Sequence, residues 1–384
     1  LLKDKEVGKL IVPIVPDEAR TFGMESLFRQ IGIYSHIGQL YEPVDRDSLL
    51  YYKEAKNGQI LEEGITEAGA MCSFIAAGSA YANHGINMIP FFTYYSMFGF
   101  QRIGDLAWAA ADMRVKGFML GATAGRTTLA GEGLQHQDGN SLLLSYTIPN
   151  LISYDPAFAY ELAVIIRDGI YRMYEKQEDV YYYITIMNEN YPMPKMPEGS
   201  KEGILKGMYK FKASEKKNSK VKANLMGSGT IMNEVIKAAE ILESKYNVAS
   251  DVWSVTSYKL LHLDAQETER WNMLNPDKKE KSSYIGEITK GEKGVFIAAS
   301  DYVQIIGDSL AKWLPAPLHT LGTFGFGRSE GRDSLRDFFE VDAKHIVYAT
   351  LYSLVKEKQL KPEVLKKAKK ELGINPDKPN PAKS

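Results

Sequence analysis

Residues 118–139 read FMLGATAGRTTLAGEGLQHQDG, and this stretch decides the fold class. It begins with a strand-like run from Phe118 to Ala122, and the part from Gly121 to Gly139 contains five glycines and a Thr-Thr pair. A long glycine-rich loop that directly follows a strand is typical of the carboxyl edge of an open α/β sheet, where such folds bind ligands. The stretch therefore predicts an α/β domain with a ligand site at this edge.

Strand and helix patterns alternate on both sides of this loop. Residues 68–79 carry small and apolar side chains every three or four positions, as a packed helix does, and residues 87–92 have the pattern of a buried strand. After the loop, residues 158–176 have a helical pattern and residues 180–187, VYYYITIM, a strand pattern. Strands separated by helices of this length predict a parallel sheet covered on both faces.

Residues 188–200, NENYPMPKMPEGS, contain three prolines and predict a domain boundary. Beyond them the alternation restarts, with strands expected at 222–226, 252–255 and 295–299 and helices at 231–244, 301–313 and 345–356. We therefore predict an α/β chain of two domains, residues 1–199 and 200–384, each with an open parallel or mixed sheet.

The composition excludes several classes of protein. A chain of 384 residues with 44% hydrophobic and 25% charged residues is typical of globular proteins, and a net charge of −1 gives no field that would attract nucleic acid or an anionic membrane. The single cysteine, Cys72, favours a reducing compartment, and no apolar run is long enough for a membrane span. We expect a cytoplasmic protein with no nucleic-acid or membrane partner, and the initial Leu1 favours a segment of a longer chain.

Three features are candidates for chemistry. Glu132 and His136, four residues apart in the glycine-rich loop, form either an acid/base pair or a polar loop whose glycines serve turns. The stretch 91–100, FFTYYSMFGF, holds six aromatic residues, which belong either to a core or interface or to a site that stacks on a heteroaromatic ring. Glu67, at a predicted helix start, either complements the helix dipole or is a partly desolvated functional carboxylate.

Two further sequence patterns were considered as binding sites and give weaker evidence than the three features above. The run LMGSGT at 225–230 lacks the third glycine of a dinucleotide fingerprint, so it predicts a tight turn between strand and helix. The remaining histidines stand alone and suggest no metal site.

Six longer segments, taken together, closely resemble the homodimeric bacterial pyruvate dehydrogenase family, the thiamine-diphosphate-dependent decarboxylating component of the pyruvate dehydrogenase complex. They are ARTFGMESLFRQIGIYS (19–35), PFFTYYSMFGFQRIGD (90–105), GRTTLAGEGLQHQDG (125–139), YYYITIMNENYPMP (181–194), ERWNML (269–274) and FGFGRSEGRDSLRDFFEVDA (324–343). The resemblance covers essentially the whole chain. It implies a transketolase-like pyrimidine-binding domain followed by a transketolase C-terminal-like domain.

The resemblance also implies roles for residues. Glu67 matches the glutamate that bonds the ring nitrogen of the cofactor's aminopyrimidine and drives its proton relay. Tyr95 and Phe98 match the aromatic residues around that ring, and Ile65 falls in the same pocket. The resemblance implies catalytic roles on the substrate side for Glu132 and His136, which would stabilise the pyruvate carboxylate and the adduct.

The chain departs from the family in two ways. It reads HQDGN at 136–140, with Gln137 and Asn140 where the family pattern has HEDGH, and this leaves those two positions without an assigned role. It also lacks the Gly-Asp-Gly stretch that holds magnesium and the diphosphate, so the metal ligands are expected in an N-terminal domain that precedes this chain and none in the chain itself.

The expected partners are a second copy in a homodimer, pyruvate, and the dihydrolipoamide acetyltransferase core of the complex. The chain alone is expected to be inactive. A transketolase-type two-carbon transferase and a non-catalytic interaction fragment remain as alternatives.

Overall fold

The computed structural model describes residues 1–16, 19–44, 47, 52–130, 133–216 and 219–384. They form two compact units. The first unit comprises Leu1–Thr123, Thr147–Ile152 and Gly169–Asn188, and the second comprises Ala124–Tyr146, Ser153–Asp168 and Glu189–Ser384. The chain thus passes from one unit to the other five times, after residues 123, 146, 152, 168 and 188. The domain limit at residue 199 stays a prediction.

The strands and helices follow one another in chain order. The strands are β1 (Ile11–Val15), β2 (Ile33–Tyr34), β3 (Glu54–Ala55), β4 (Leu61–Glu62), β5 (Ile89–Tyr95), β6 (Phe118–Ala122), β7 (Leu151–Tyr154), β8 (Tyr181–Ile186), β9 (Met208–Lys212), β10 (Lys222–Gly227), β11 (Ala249–Val255), β12 (Val295–Ala299) and β13 (Leu318–Leu321). The helices are α1 (Glu25–Ile31), α2 (Glu67–Gly78), α3 (Ala80–His84), α4 (Phe100–Asp112), α5 (Ser141–Leu144), α6 (Ala159–Ile170), α7 (Lys201–Lys206), α8 (Met232–Lys245), α9 (Tyr258–Leu274), α10 (Tyr284–Ile288), α11 (Ile305–Asp308), α12 (Arg332–Phe339), α13 (Ala343–Lys356) and α14 (Glu363–Glu371).

The main sheet of the first unit has the strand order β4-β1-β5-β6-β8-β7, and β7 ends in the second unit. The pairs from β4 to β8 are all parallel, as the alternating pattern predicts. In register across the three central strands, Phe91 pairs with Phe118, and Phe118 pairs with Tyr182. Their rings are in contact, with centroids 4.7 and 5.3 Å apart. The aromatic residues therefore serve partly as core.

Helix α2 packs on β1, β5 and α4 of the same unit. Its last residue must be small, because a Cβ at Gly78 would lie 2.4 Å from Val115 Cγ1 and 2.5 Å from the Lys116 carbonyl oxygen. The small-residue face that the sequence shows over 68–79 is thus explained by close packing at the carboxyl end of the helix.

The sheet of the second unit has the order β13-β12-β10-β11-β9. Its pairs are parallel except for β11 with β9, which is antiparallel, so the sheet is mixed. Helices α8 and α13 pack on it and on each other, and they bury an apolar core that includes Leu225, Val235, Ile297 and Ile346. Both predicted sheets are confirmed.

The segment Ser153–Asp168 joins the second unit through a buried carboxylate. Glu161 is fully buried and accepts hydrogen bonds from the Ala157 backbone N–H at 2.6 Å, the Tyr209 hydroxyl at 2.7 Å and the Ser254 hydroxyl at 2.6 Å. Burial raises the pKa of Glu161, and these donors oppose the rise.

The helix predicted at 301–313 is wrong. The structure has only the short α11 and a 3₁₀ turn at Ala311–Trp313. A helix does not begin at residue 301 because the backbone carbonyls of Asp301 and Tyr302, which helical N–H groups would need, accept the Thr323 hydroxyl and the Thr323 N–H instead, both at 2.8 Å. Conversely, α9 is a helix of 17 residues that no prediction covers. Among the described residues, no helix combines the length and the apolar character needed to cross a bilayer.

Candidate functional site

Glu67 is the first residue of α2. The preceding Thr66 caps this helix, with its side-chain oxygen accepting the Gly69 N–H at 3.1 Å. Glu67 is only 8% exposed, although it carries a carboxylate. The helix start therefore presents a buried acid, and the functional role of this carboxylate stays a prediction.

Arg102 joins Glu67 to the aromatic stretch. Its Nη1 donates to Glu67 Oε2 at 3.2 Å, and its guanidinium carbon lies 4.0 Å from the centroid of the Phe98 ring. Phe98 meets Tyr95 edge to face, with centroids 6.0 Å apart, and Tyr95 meets Phe22 in the same way at 5.1 Å. One connected group thus contains a carboxylate, a guanidinium and three aromatic rings.

This group in the first unit has the chemistry that a flat heteroaromatic ring requires. The rings of Tyr95 and Phe98 offer apolar surface, and Glu67 offers one carboxylate that can hold a proton at a ring nitrogen. Ile65, two residues before Glu67, is 83% exposed, so its side chain is open to solvent in this structure.

The glycine-rich loop after β6 belongs to the second unit, where a buried aspartate holds it. Asp301 accepts hydrogen bonds from the Thr127 N–H at 2.9 Å, the Thr127 hydroxyl at 2.7 Å and the Thr128 hydroxyl at 2.6 Å. Burial raises the pKa of Asp301, and the two threonines and the Arg336 guanidinium oppose the rise. The Thr-Thr pair of the sequence therefore anchors the loop.

Arg126 belongs to the same loop. It is 3% exposed, and burial lowers the pKa of its guanidinium while Asp138 and Asp301 act in the opposite direction. A Cβ at Gly139 would lie 2.5 Å from Arg126 Nε, so this glycine leaves room for the guanidinium. The loop therefore encloses a buried charge. Its glycines make room for this charge in addition to forming turns.

His136 is partly exposed within this loop, and the next two residues, Gln137 and Asp138, are buried. Glu132 lies outside the described residues, so its predicted pairing with His136 stays a prediction. The structure brings together Glu67, Tyr95 and Phe98 in the first unit and places His136 in the second.

One group of possible metal ligands occurs among the described residues, formed by Asp337, Asp342 and His345 with ligand atoms within 4.8 Å of one another. Lysines already compensate its carboxylates, since Lys344 Nζ lies 2.5 Å from Asp337 Oδ1 and 3.8 Å from Asp342 Oδ2. His345 Nδ1 pairs with Asp342 Oδ1 at 2.6 Å. The arrangement is a network of ion pairs and hydrogen bonds at the start of α13.

Sequence reasoning missed Arg102 and Asp301. Helical spacing gives no signal for Arg102, because Phe98 lies in a 3₁₀ turn and the non-helical Gly99 separates it from α4. Asp301 gives no local signal, because its partners lie about 170 residues earlier in the chain.

Two family models match the chain. The model of the pyruvate dehydrogenase E1 component middle domain matches residues 1–194, and that of the transketolase-like C-terminal domain matches residues 207–342. The curated relatives include the pyruvate dehydrogenase E1 components of Pseudomonas aeruginosa, 56% identical over 382 residues, and of Escherichia coli K12, 54% identical over 383 residues. Each alignment covers 99% of this chain and 43% of the relative, so the chain spans less than half of the relatives' length.

Solved structures share the fold at low sequence identity. Transketolase from Campylobacter jejuni has a TM-score of 0.62 at 18% identity, covering 89% of this chain and 43% of that one. Transketolase from Leishmania mexicana has a TM-score of 0.64 at 17% identity, covering 90% and 43%. The inactive β4 tetramer of a split-gene transketolase has a TM-score of 0.55 at 15% identity, covering 88% of this chain and 97% of that one. The predicted transketolase-like fold is confirmed.

Proposed function

The chain belongs to the pyruvate dehydrogenase E1 component family, and on that premise we propose that it supplies the aminopyrimidine half of a thiamine diphosphate site. The complete enzyme would decarboxylate pyruvate oxidatively and transfer the acetyl group to the lipoyl group of dihydrolipoamide acetyltransferase. The observation that carries this proposal is the buried carboxylate of Glu67, which Arg102 joins to the Phe98 ring, with Tyr95 in contact with Phe98.

The residues present fit the aminopyrimidine ring. A planar aromatic base needs apolar walls and one polar group at a ring nitrogen, and this group supplies both. When bound, thiamine diphosphate would supply a nucleophilic thiazolium carbon to attack the pyruvate carbonyl, and its cationic ring would take up the electrons released as CO₂ leaves. Glu67 would hold the proton at the ring nitrogen, and Tyr95 and Phe98 would orient the ring. Ile65 would complete the apolar wall.

The Arg102 guanidinium gives Glu67 a partner when no ring is present. A buried carboxylate without a partner is costly, and the ion pair at 3.2 Å reduces that cost. Arg102 is about half exposed, with 52% of its side-chain surface open, so it can swing toward solvent when a ring takes its place.

His136 and Glu132 are proposed to act on the substrate side. A protonated imidazole can donate to the carboxylate or the oxygen of pyruvate, where negative charge must be stabilised. The anchoring of their loop by Asp301 supports this role, because a group that stabilises charge must be held in place. Magnesium and the diphosphate are proposed to be held by residues outside this chain.

The proposed partners are a second copy of the chain in a homodimer and the acetyltransferase of a multienzyme complex, and the proposed compartment is the cytoplasm. The relatives carry the name of a component, which supports membership of a complex. The chain alone is proposed to be inactive. The split-gene transketolase chain, which has nearly the same extent in its alignment with this chain, is described as inactive in its β4 form.

The test compares donor substrates on the complete gene product. Pyruvate-dependent reduction of ferricyanide with release of CO₂ is expected in the presence of thiamine diphosphate and magnesium, and ketose phosphates are expected to give no transfer. The Glu67→Gln variant should lose the pyruvate reaction. Turnover of ketose phosphates instead of pyruvate would replace the proposal by a transketolase activity, for which the structural likeness supports only the fold.

A further inference from the structure

The sheet of the second unit has a topological switch point, the place where open α/β sheets usually bind ligands. From β10 the chain continues to β11 on one side, and from β12 it continues to β13 on the other, so the neighbouring strands β10 and β12 form this point. Residues 228–230 follow the carboxyl end of β10, and residues 300–301 follow that of β12. The space outside these two strand ends is called the switch-point crevice below.

The glycine-rich loop occupies the switch-point crevice. Thr128 Oγ1 lies 2.5 Å from Thr230 Oγ1, which follows β10, and 2.6 Å from Asp301 Oδ2, which follows β12. The Thr127 hydroxyl and N–H also donate to Asp301 Oδ1, at 2.7 and 2.9 Å. All four residues belong to the second unit and are at most 3% exposed, so the loop closes the crevice to solvent.

The direction of these hydrogen bonds makes Thr230 a donor. A threonine hydroxyl has one proton and two acceptor lone pairs. Thr128 donates its proton to the Asp301 carboxylate, so the bond between the two threonines must use the proton of Thr230. The hydroxyl of Thr128 therefore links the end of β10 to the end of β12.

Glycines allow the loop to enter the crevice. Gly125 has a φ of +94°, and a Cβ there would lie 2.4 Å from Asp301 Oδ2 and 3.0 Å from Thr128 Oγ1. On the other side of the crevice, the run LMGSGT at 225–230 lacks the third glycine of a dinucleotide fingerprint. It ends in Thr230, whose hydroxyl binds the loop. The turn after β10 thus binds a segment of its own chain at the place where related folds bind a nucleotide.

We propose that the second unit uses the ligand crevice of its sheet to bind the glycine-rich loop, and that Thr230 is a positioning residue for the substrate-side groups of this loop. The proposal rests on the proposed function, in which Glu132 and His136 act on pyruvate. Thr128 precedes Glu132 by four positions in the sequence. Firm anchoring matters because a displacement of about 1 Å at a reacting group can lower a rate by about 10²-fold.

The test compares three variants of the complete gene product. Thr230→Val keeps the shape of the side chain but removes the hydroxyl, so Thr128 loses its donor, whereas Thr230→Ser keeps the hydroxyl. The control is Thr350→Val. Thr350 is another fully buried threonine of the second unit, and its hydroxyl donates to the Ile346 carbonyl within α13 at 2.7 Å. The control therefore makes the same chemical change away from the loop.

We expect kcat/KM for pyruvate to fall about tenfold in Thr230→Val, the effect of one lost hydrogen bond at a buried group. Thr230→Ser and Thr350→Val should both stay within about twofold of wild type. The dissociation constant for thiamine diphosphate should change less than about twofold in all three variants. Urea unfolding identifies conditions in which every variant is folded. Equal kinetic losses in the two valine variants, or no rescue by serine, would overturn the proposal.

Hydrogen exchange at the Thr127 amide, which donates to Asp301, is a readout that needs no activity. Exchange should be about tenfold faster in Thr230→Val and unchanged in the other two variants. Unchanged exchange in Thr230→Val would contradict the proposal. Addition of ATP, as a nucleotide probe, should leave the exchange of wild type unaltered. Faster exchange with ATP would also overturn the proposal, because a nucleotide would then displace the loop from the crevice.

Failure of the proposed function gives a different result. If wild type turns over no pyruvate, the proposed function fails, and exchange at the Thr127 amide still decides whether Thr230 holds the loop. If wild type turns over pyruvate but Thr230→Val exchanges at the wild-type rate, only the role of Thr230 fails.

Discussion

Arg102 Nη1 lies 3.2 Å from Glu67 Oε2, so the buried acid of the candidate site is paired with a cation from another helix. The pair is unequal in exposure, with 52% of the Arg102 side chain and 10% of the Glu67 side chain open to solvent. The exposed partner is the one that can move away at little cost. Glu67, and not Arg102, is therefore the residue that stays in place when the ion pair separates.

We expect Glu67→Gln in the complete gene product to lower kcat by about 10²- to 10⁴-fold, the usual contribution of a general acid-base group. The amide can still contact a ring nitrogen but cannot exchange a proton with it. Steady-state rates with pyruvate measure the loss. The control is Glu175→Gln, an exposed residue of the same unit, which should keep full activity. Wild-type turnover by folded Glu67→Gln would refute the assignment.

For His136→Ala we expect a loss in the steps that involve pyruvate, with the affinity for thiamine diphosphate little changed. The reason is that the loop of the second unit is proposed to face substrate, while Tyr95 and Phe98 are proposed to hold the ring. Calorimetric titration with the cofactor, set beside steady-state kinetics, separates the two effects. His84→Ala, an exposed histidine, is the control. A large fall in cofactor affinity would place His136 on the other side of the site.

Asp301→Asn should release the glycine-rich loop. An amide would turn an N–H toward groups that donate, and hydrogen bonds to a buried charge contribute about 1.5–3 kcal/mol each. We expect faster hydrogen exchange at the Thr127 amide and a second unit destabilised by about 2 kcal/mol. Asp277→Asn, at an exposed position, should leave both unchanged. Unaltered exchange at Thr127 would show that the loop is held by other contacts.

Lys259 should make stability depend on pH in the alkaline range. It is 5% exposed, and burial lowers its pKa to about 8, while an unfolded lysine titrates near 10.4. Between these values the unfolded chain binds more protons, so the free energy of unfolding rises with pH, by up to about 3 kcal/mol from this residue. This stabilisation is complete above pH 10.4 and is lost as the pH falls through 8.

Lys259→Met should remove this rise, although it also removes the bond from Nζ to the Ser145 carbonyl. Urea unfolding of wild type, Lys259→Met and the control Lys361→Met at pH 7.5 and pH 10 measures how the free energy of unfolding changes with pH. Lys361→Met, an exposed site, should keep the wild-type pH dependence. The same pH dependence in Lys259→Met and wild type would show that Lys259 titrates normally.

The 384-residue chain alone is expected to fold, to dimerise, to bind thiamine diphosphate weakly and to lack decarboxylase activity. Ring contacts and one bond to Glu67 must offset roughly 4 kcal/mol or more of lost ligand freedom, without the contacts to the diphosphate and magnesium. Equilibrium dialysis with magnesium and thiamine diphosphate measures the affinity, and sedimentation measures the dimer. Micromolar binding would mean that the chain carries a diphosphate site of its own.

Elements with a strong local pattern could be predicted from the sequence. The strand at 118–122 was predicted at its observed limits, and α13 begins only two residues before the predicted start at 345. The strand is a continuous run that is buried at every position, and the helix carries buried apolar residues at helical spacing. Glu67 could also be identified as a candidate from the sequence, because the helix start that carries it and the aromatic stretch are both visible as patterns.

Long-range contacts explain what could not be predicted. The pattern over 301–313 favours a helix, but hydrogen bonds from Thr323 to the Asp301 and Tyr302 carbonyls take the acceptors that its first turn would need. The pairing of Arg102 with Glu67 depends on the packing of α4 against α2, which no local pattern encodes. Loop anchoring by Thr230 joins residues 102 positions apart. Local periodicity therefore predicts the helices and strands, whereas tertiary packing determines which residues meet in the site.

The repeated passage of the chain between the two units limits how its gene can be recombined. After a crossover at codon 199, Asp301, Tyr209 and Ser254 would come from one parent. Their hydrogen-bond partners would come from the other parent: Thr127 and Thr128 for Asp301, and Glu161 for Tyr209 and Ser254. Each pair is buried, so mismatched parents would leave polar groups unsatisfied inside one unit. Chimeras of this family should therefore inherit residues 124–146 and 153–168 from the same parent as the segment that follows residue 188, as one discontinuous block.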